Sequence, residues 1–450
     1  MSGRAVWLLL ALALAARLAF VAATPNYLPL HDDHDYDRLA CSIVRGSGYA
    51  AVGPATPPNA CGPAVAHPRP TAFRAPLWPA TLAGVYAISD PLTSDRWLAG
   101  RVANALLGTV AVALMGFIAG RLWGRRVGLI ALGVGATCVP LIVVGGSLLT
   151  ETLFTVVALA AVATTVVAVG SPHRVRWALV AGIFVGAAAL TRTNGLVLVP
   201  AVALGLWGPA PRRSWRALAP VGAVLVTTAL AIAPWTLRNA NSMHAFVPVS
   251  TETGSALIGT YNTTVQNAPN HPRTWHWPKV VPELRPLLAK HLEEPARQRQ
   301  LTEAAFDYVG DHPFAPIATV ATNVGRFFGL GGPDWWRYSA RTIDVPETAA
   351  DLAMLWLAVA APFMLVGIAA AWRRRGPPWL WLVPLLLLLS ATIVVGELRF
   401  RAPVDPFLVL LAALGVDAVV TWLRRPEGAT RRSPSQASAS APGLPSPSGT

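Results

Sequence analysis

The sequence predicts an all-α protein that crosses a membrane about ten times. Mean hydropathy is +0.48 and charged residues make up 13% of the 450 positions, against about a quarter in a typical soluble domain. Apolar runs close to twenty residues recur, the length needed to cross about 30 Å of hydrocarbon. Arginines, finally, fall in short clusters between alternate pairs of those runs.

The runs occupy roughly 6–23, 97–120, 127–146, 152–170, 177–191, 195–210, 217–236, 351–371, 378–396 and 406–423. The first lacks a small-residue cleavage site before "TPNYLPLHDD", so it reads as a retained helix and not as a signal peptide. Arg4 precedes it. Later clusters are Arg121, Arg125 and Arg126; Arg174 and Arg176; Arg212, Arg213 and Arg216; Arg373, Arg374 and Arg375; and Arg424 and Arg425. With ten crossings all of them share one side, which the positive-inside rule makes cytoplasmic, with both termini inside. The net charge of +14 is then a topology signal, and nucleic-acid binding is not expected.

Two long loops, 24–96 and 237–350, are expected on the extracytoplasmic side. The first is rich in Pro and Gly around a short helix, Tyr36 to Val44. Its apolar stretch 78–88 is too short to span and reads as a helix packed at the interface. The second loop holds Trp275, Trp277, Trp335 and Trp336 and is too interrupted for an independent domain. The membrane domain is therefore 1–425, and residues 426–450, rich in Ser, Pro and Ala, read as a disordered cytoplasmic tail. No internal repeat is visible. Cys138 sits in an apolar helix and reads as core. Cys41 and Cys61 share the first loop, where oxidation is permitted, and whether they pair is not decided by spacing.

The polar residues are unevenly placed. Asp32, Asp33 and Asp35 follow the first helix in "LPLHDDHDYDRLA", and Arg74 lies in the same loop. Glu151 opens the fourth span, and Arg192 and Asn194 occupy the turn "LTRTNGL". Arg238 and Asn239 leave the seventh span, and Glu397, Arg399, Arg401 and Asp405 lie in "GELRFRAPVDP". Arginine-only clusters face one side and mixed carboxylate, arginine and asparagine turns face the other. Ionisable groups at membrane level mark sites when they converge. Each has a structural alternative: solvated loop charge for the aspartates, helix capping for Glu151, Arg238 and Asn239, snorkelling for Arg192. His31 and His34 beside the aspartates lack a specific metal-ligand spacing. There is no P-loop, dinucleotide glycine pattern, HExxH or GxSxG. Arginines bind phosphate through a planar fork, and a carboxylate can accept a proton from a hydroxyl. Together they suit group transfer from a lipid phosphate to an alcohol.

These segments resemble the integral-membrane glycosyltransferases of the C-type fold that use polyprenyl-phosphate sugars, a group including protein mannosyltransferases and lipid A aminoarabinose transferases. The resemblance rests on Asp32, Asp33, Tyr36, Ala40, Gly46, Gly48 and Tyr49, then "PTAFRAPLWP", "LLTETLFT", "LTRTNGLVLVP", "PWTLRN…FVPVSTETG…GTYN" and "ELRFRAPVDPFLVLLAALG", in the family's order over about residues 6–423. It implies a C-type fold of 10–12 helices and transfer of a sugar to a cell-envelope acceptor hydroxyl at the outer face of the plasma membrane, with inversion. It makes Asp32 the base, with Asp33 the second choice. Glu151 would help orient the acceptor or, with Asp32, hold a divalent metal cation. Tyr36, Arg74, Arg192, Arg238, Asn239, Glu397 and Arg399 become substrate- and phosphate-binding candidates. The partners implied are a polyprenyl-phosphate sugar donor, a glycan, lipid or protein acceptor, and membrane lipid. Two alternatives are a transporter or flippase of lipid-linked sugars, expected to place polar groups at the midplane of several helices, and a polymerase or ligase of lipid-linked glycans.

Overall fold

The computed structural model describes residues 3–51, 56, 57, 59, 61, 62, 67–207 and 218–424. The serine- and proline-rich tail, and Arg212, Arg213, Arg216 and Arg425, lie outside the described residues.

Helix α1 (Gly3–Ala23) leads through a short turn into α2 (Asp32–Val44). This second helix starts four residues before the predicted Tyr36, because acids in a first turn are favoured by the helix dipole. Two short strands, β1 (Ala50–Ala51) and β2 (Arg69–Pro70), then pair antiparallel, Ala50 opposite Pro70. A disulfide joins Cys41 to Cys61 across the same loop, with the Cα atoms 5.2 Å apart. Next come α3 (Leu77–Ser89), α4 (Arg96–Trp123), α5 (Arg125–Ala136), α6 (Val139–Gly145), α7 (Glu151–Val169) and α8 (Arg174–Thr191). A 3₁₀ turn, Thr193–Val197, enters α9 (Leu198–Trp207), and α10 (Ala219–Met243) follows. The second long loop is itself mostly helical: α11 (Thr253–Ile258), α12 (Thr263–Gln266), α13 (Arg285–Leu288), α14 (Glu294–Asp311), α15 (Ala315–Phe327) and α16 (Gly332–Arg341). The chain closes with α17 (Glu347–Arg373), α18 (Pro378–Thr392) and α19 (Asp405–Leu423).

Among the described residues each of the ten predicted runs contains helix, but not each forms a full span. Among the described residues, seven helices are long and apolar enough to cross a membrane. The predicted span 127–146 is a bent pair, α5 and α6 meeting at 58°. Pro140, the second residue of α6, is compatible with starting a helix but not with continuing one, since it lacks an N–H and its ring clashes with the preceding turn. Helices α9 and α18 are short apolar helices.

Helix α7 is the centre of the bundle: 78% of its apolar stretch is buried, against 17% for α1 at the rim. Small residues let neighbouring backbones touch. A Cβ on Gly367 of α17 would lie 1.9 Å from the Leu411 carbonyl of α19, and one on Gly415 of α19 would lie 1.8 Å from the Phe363 carbonyl. Such close crossings replace the hydrophobic drive that lipid does not supply. The two ends of the bundle differ in charge. At one, Arg374 and Arg126 pair with Asp417 at 2.6 and 3.0 Å. Asp417 lies twelve residues, about 18 Å of helix rise, beyond Asp405 at the start of α19. At that opposite end the carboxylates and arginines of the loops converge.

Candidate active site

The site begins with the register of α2. Successive helical residues point about 100° apart, so Asp32, Asp35 and Tyr36 share one face and Asp33 and Asp37 another. The first face meets Arg74, whose Nη2 donates to Asp32 Oδ1 at 2.5 Å and to Asp35 Oδ2 at 2.8 Å. The second face is used in packing. Asp33 accepts from the Tyr27 hydroxyl and from the His31 and His34 amides at 2.9 and 3.0 Å. Asp37 pairs with Arg96 at 2.8 Å and accepts from Tyr86 at 2.9 Å.

A cavity of about 330 Å³ opens at this end of the bundle. Asp32, Tyr36, Arg74, Glu151, Arg192, Asn194, Glu252, Glu397 and Arg399 line its polar side, and Leu257, Trp275, Trp277, Ala391, Val394 and Val395 its apolar side. Four of these side chains come from four different connections. Asp32 opens α2, Glu151 opens α7, Arg192 ends α8, and Arg399 lies in the 3₁₀ turn Leu398–Arg401 before α19. Arg399 Nη2 donates to Asp32 Oδ2 at 2.8 Å, and its Nε to Glu397 Oε2 at 3.1 Å. Arg192 donates to Glu151 Oε1 at 2.9 Å. The Arg192 and Arg399 guanidiniums lie 4.9 and 4.5 Å from the centre of the Phe400 ring, which holds both at one place.

The surroundings of the two aspartates act on them in opposite directions. Burial opposes ionisation of Asp32, but Arg74, Arg399 and Arg192 outweigh it and hold the carboxyl well below the usual carboxylate range. Burial pushes Asp33 up, against the bonds from Tyr27 and His31. Burial also pushes the Tyr36 phenol up. The arginines differ too. Arg74 is surrounded by three acceptors, Asp32, Asp35 and Glu252, the last at 3.0 Å. Arg399 instead keeps one nitrogen, Nη1, buried with no hydrogen-bond partner, and so does Glu151 with its Oε2.

Of the sequence candidates, Asp32, Tyr36, Arg74, Glu151, Arg192, Glu397 and Arg399 come together around the cavity, and Asp33, Arg238 and Asn239 do not line it. Arg238 donates to the Thr71 carbonyl at 2.8 Å and to Asn239 Oδ1 at 3.0 Å, and lies 4.8 Å from the Trp235 ring centre. Asn239 donates to the Val247 carbonyl at 3.0 Å. Both fasten the end of α10 to the loops. Sequence reasoning missed Glu252, although "VSTETG" gave a signal: a lone acid among small hydroxyl residues in a conspicuous segment. It also missed Trp277 as cavity wall.

As arranged, the donor set does not fit a divalent cation. Both Asp32 oxygens and one Glu151 oxygen are already taken by guanidiniums. Among the described residues no three His, Cys, Asp or Glu side chains gather as a metal site.

The architecture is the glycosyltransferase C-type fold. Residues 74–237 match the sequence family described as dolichyl-phosphate-mannose-protein mannosyltransferase. The chain superposes on the oligosaccharyltransferase AglB from Archaeoglobus fulgidus, solved in complex with an inhibitory peptide and a dolichol-phosphate. The TM-score is 0.54 at 15% identity, over 93% of this chain and 50% of that one. The same enzyme in complex with Zn and sulfate gives a TM-score of 0.50 at 13% identity, over 92% and 49% of the two chains. ArnT from Cupriavidus metallidurans, bound to undecaprenyl phosphate, aligns at 17% identity with a TM-score of 0.43, over 93% and 78%. The chain thus spans about half the length of the archaeal enzyme. No curated protein sequence matches it.

Proposed function

We propose that this protein transfers a sugar from a polyprenyl-phosphate donor to an acceptor hydroxyl at the extracytoplasmic face of the plasma membrane. The observation that carries the reading is the pairing of Asp32 with Arg74 and Arg399 in a membrane-level cavity where Arg399 Nη1 has no partner. A buried, unpartnered guanidinium nitrogen is a seat for an anion, and phosphate matches its fork. The face is assigned from charge. Arg126 and Arg374 lie at the bundle end away from the cavity, and with the other arginine clusters of the sequence they support a cytoplasmic side for that end under the positive-inside rule.

Within this reading Arg192 and Arg399, gathered on Phe400, bind the donor phosphate. Arg74, already shared by three carboxylates, orients Asp32. The acceptor O–H gives its proton to Asp32 as its oxygen bonds to the anomeric carbon. The anomeric C–O bond to phosphate breaks, and the electron pair leaves with polyprenyl phosphate, whose new charge rests on Arg399 and Arg192. One displacement inverts the anomeric centre. A carboxylate held as acidic as Asp32 is a weak base. Phosphate competing for Arg399 would loosen the bond to Asp32 Oδ2 and strengthen the base only when donor is present. Trp275 and Trp277 supply an apolar wall for a sugar ring or the first isoprene unit.

The reading is supported by the family match over residues 74–237 and by the shared fold. The test is incubation of the purified protein with defined polyprenyl-phosphate sugars and mass analysis of the products. Release of polyprenyl phosphate with a glycosylated acceptor is expected. Passage of intact lipid-linked sugar across vesicles without chemical change would instead make the protein a transporter.

A further inference from the structure

Helix α14 contributes no side chain to the cavity, yet its first residue reaches the two segments that build it. Glu294 Oε1 accepts from the Ala72 amide at 3.0 Å and from the Thr251 hydroxyl at 2.8 Å, and Oε2 accepts from the Thr71 hydroxyl at 2.6 Å. The Thr71 hydroxyl in turn accepts from the Phe73 amide at 3.0 Å, fixing the residue before Arg74. The Thr251 amide donates to the Ala72 carbonyl at 2.9 Å, and the next residue is Glu252. Two short chains of hydrogen bonds therefore run from one carboxylate to Arg74 and to Glu252, which meet at 3.0 Å.

Nothing in local sequence holds these segments together. Residues 71–74 belong to the first long loop, 251–252 follow α10, and Glu294 lies in the second long loop. A charged acceptor shared by three donors is stronger and more directional than a neutral one, and it satisfies a loop amide and two hydroxyls that would otherwise compete for other partners. Its helix position also suits it, because a carboxylate in a first turn is favoured by the dipole.

We infer that Glu294 is a positioning residue for the transfer reaction: it sets the Arg74–Glu252 pair and, through Arg74, the direction of Asp32. This rests on the transferase reading, but its structural half does not. In the intact protein, Glu294→Ala should speed hydrogen exchange in peptides covering 71–76 and 250–253 while α7 and α19 exchange as before. Glu294→Gln keeps one carbonyl acceptor and should lie between. In transfer assays Glu294→Ala should lower kcat by about 10- to 100-fold, the scale of a displacement near 1 Å, with KM for the polyprenyl-phosphate sugar within about threefold, since Arg192 and Arg399 stand on other elements. In a Glu252→Gln background the same change should cost less than about threefold, because both act through Arg74. Unchanged exchange at 71–76 and 250–253, or exchange that rises throughout the bundle, overturns the positioning role. Multiplicative losses in the double variant overturn its route through Glu252. Local exchange changes in a protein that transfers no sugar keep the clasp and reject the transferase reading.

Discussion

Replacing Asp32 by Asn should move catalysis and donor binding in opposite directions. The substitution keeps the shape of the side chain and removes its charge and its capacity to take a proton. Loss of a general base costs 10²- to 10⁴-fold in turnover. Donor binding is governed by Arg399, whose Nη2 lies 2.8 Å from Asp32 Oδ2 while Nη1 has no partner. A phosphate oxygen seated on Nη1 would stand about 6 Å from the Asp32 carboxylate. At an effective dielectric near 20 that repulsion is about 3 kcal/mol, equivalent to roughly 100-fold in affinity. Some of this is returned because Arg399 is less firmly oriented without Asp32, so a gain near tenfold is the expected net result. Turnover is read by mass analysis of released polyprenyl phosphate, and affinity by titration of the same detergent-solubilised protein with polyprenyl phosphate carrying no sugar. Turnover within threefold of wild type would remove Asp32 as the base. Weaker phosphate binding in Asp32→Asn would show that Arg399 does not hold the phosphate. If instead Asp33→Asn abolished turnover while Asp32→Asn retained it, the base would stand one residue on, despite its bonds to Tyr27 and His31.

Arg399→Ala should raise KM for the donor by about 10- to 100-fold, the worth of a charge-assisted hydrogen bond. Arg74→Ala, whose guanidinium is already shared by three carboxylates, should act mainly on kcat; steady-state kinetics separate the two. Because Asp32 is held below the usual carboxylate range, its folded state stays ionised where the unfolded chain, at about 3.9, begins to protonate. Its stabilisation is full above that value and fades as pH falls below it, so the melting-temperature gap between wild type and Asp32→Asn should be constant from pH 8 to 5 and close below about 4. A gap that closes near pH 6 would contradict the arginine clamp. Treatment with a chelator should leave the transfer rate within twofold, since guanidiniums occupy the Asp32 oxygens; abolition reversed by added cation would mean that the arginines move aside for a metal. A cysteine at Lys279, exposed near Trp277, should react with an impermeant thiol reagent in intact cells, and labelling only after lysis would invert the assigned sidedness.

Much of this was legible in local sequence, because a helix that meets lipid must satisfy its own backbone and expose apolar side chains over its whole length. Hydropathy therefore located each of the ten helical runs, and even the break at 137–138 was written in Pro140. The sequence led one to expect the first-loop helix to begin only at Tyr36, so it assigned Asp32 and Asp33 to no helix face. With α2 starting at Asp32 the two fall on different faces, and which face meets the cavity is not a local matter, since both carry acids. That choice belongs to partners far along the chain: Arg74 and Arg399 take Asp32, while Tyr27 takes Asp33. The same holds for Arg238, which looked like a phosphate ligand and instead fastens α10 to the Thr71 segment, for Glu252, whose segment was conspicuous but whose partner Arg74 was not, and for Glu294, which carries no motif of its own. Burial in lipid is decided residue by residue along one helix, so composition reveals it. An ion-pair network is decided by distances between loops up to several hundred residues apart, and only the packed bundle brings those carboxylates and guanidiniums within 3 Å of one another.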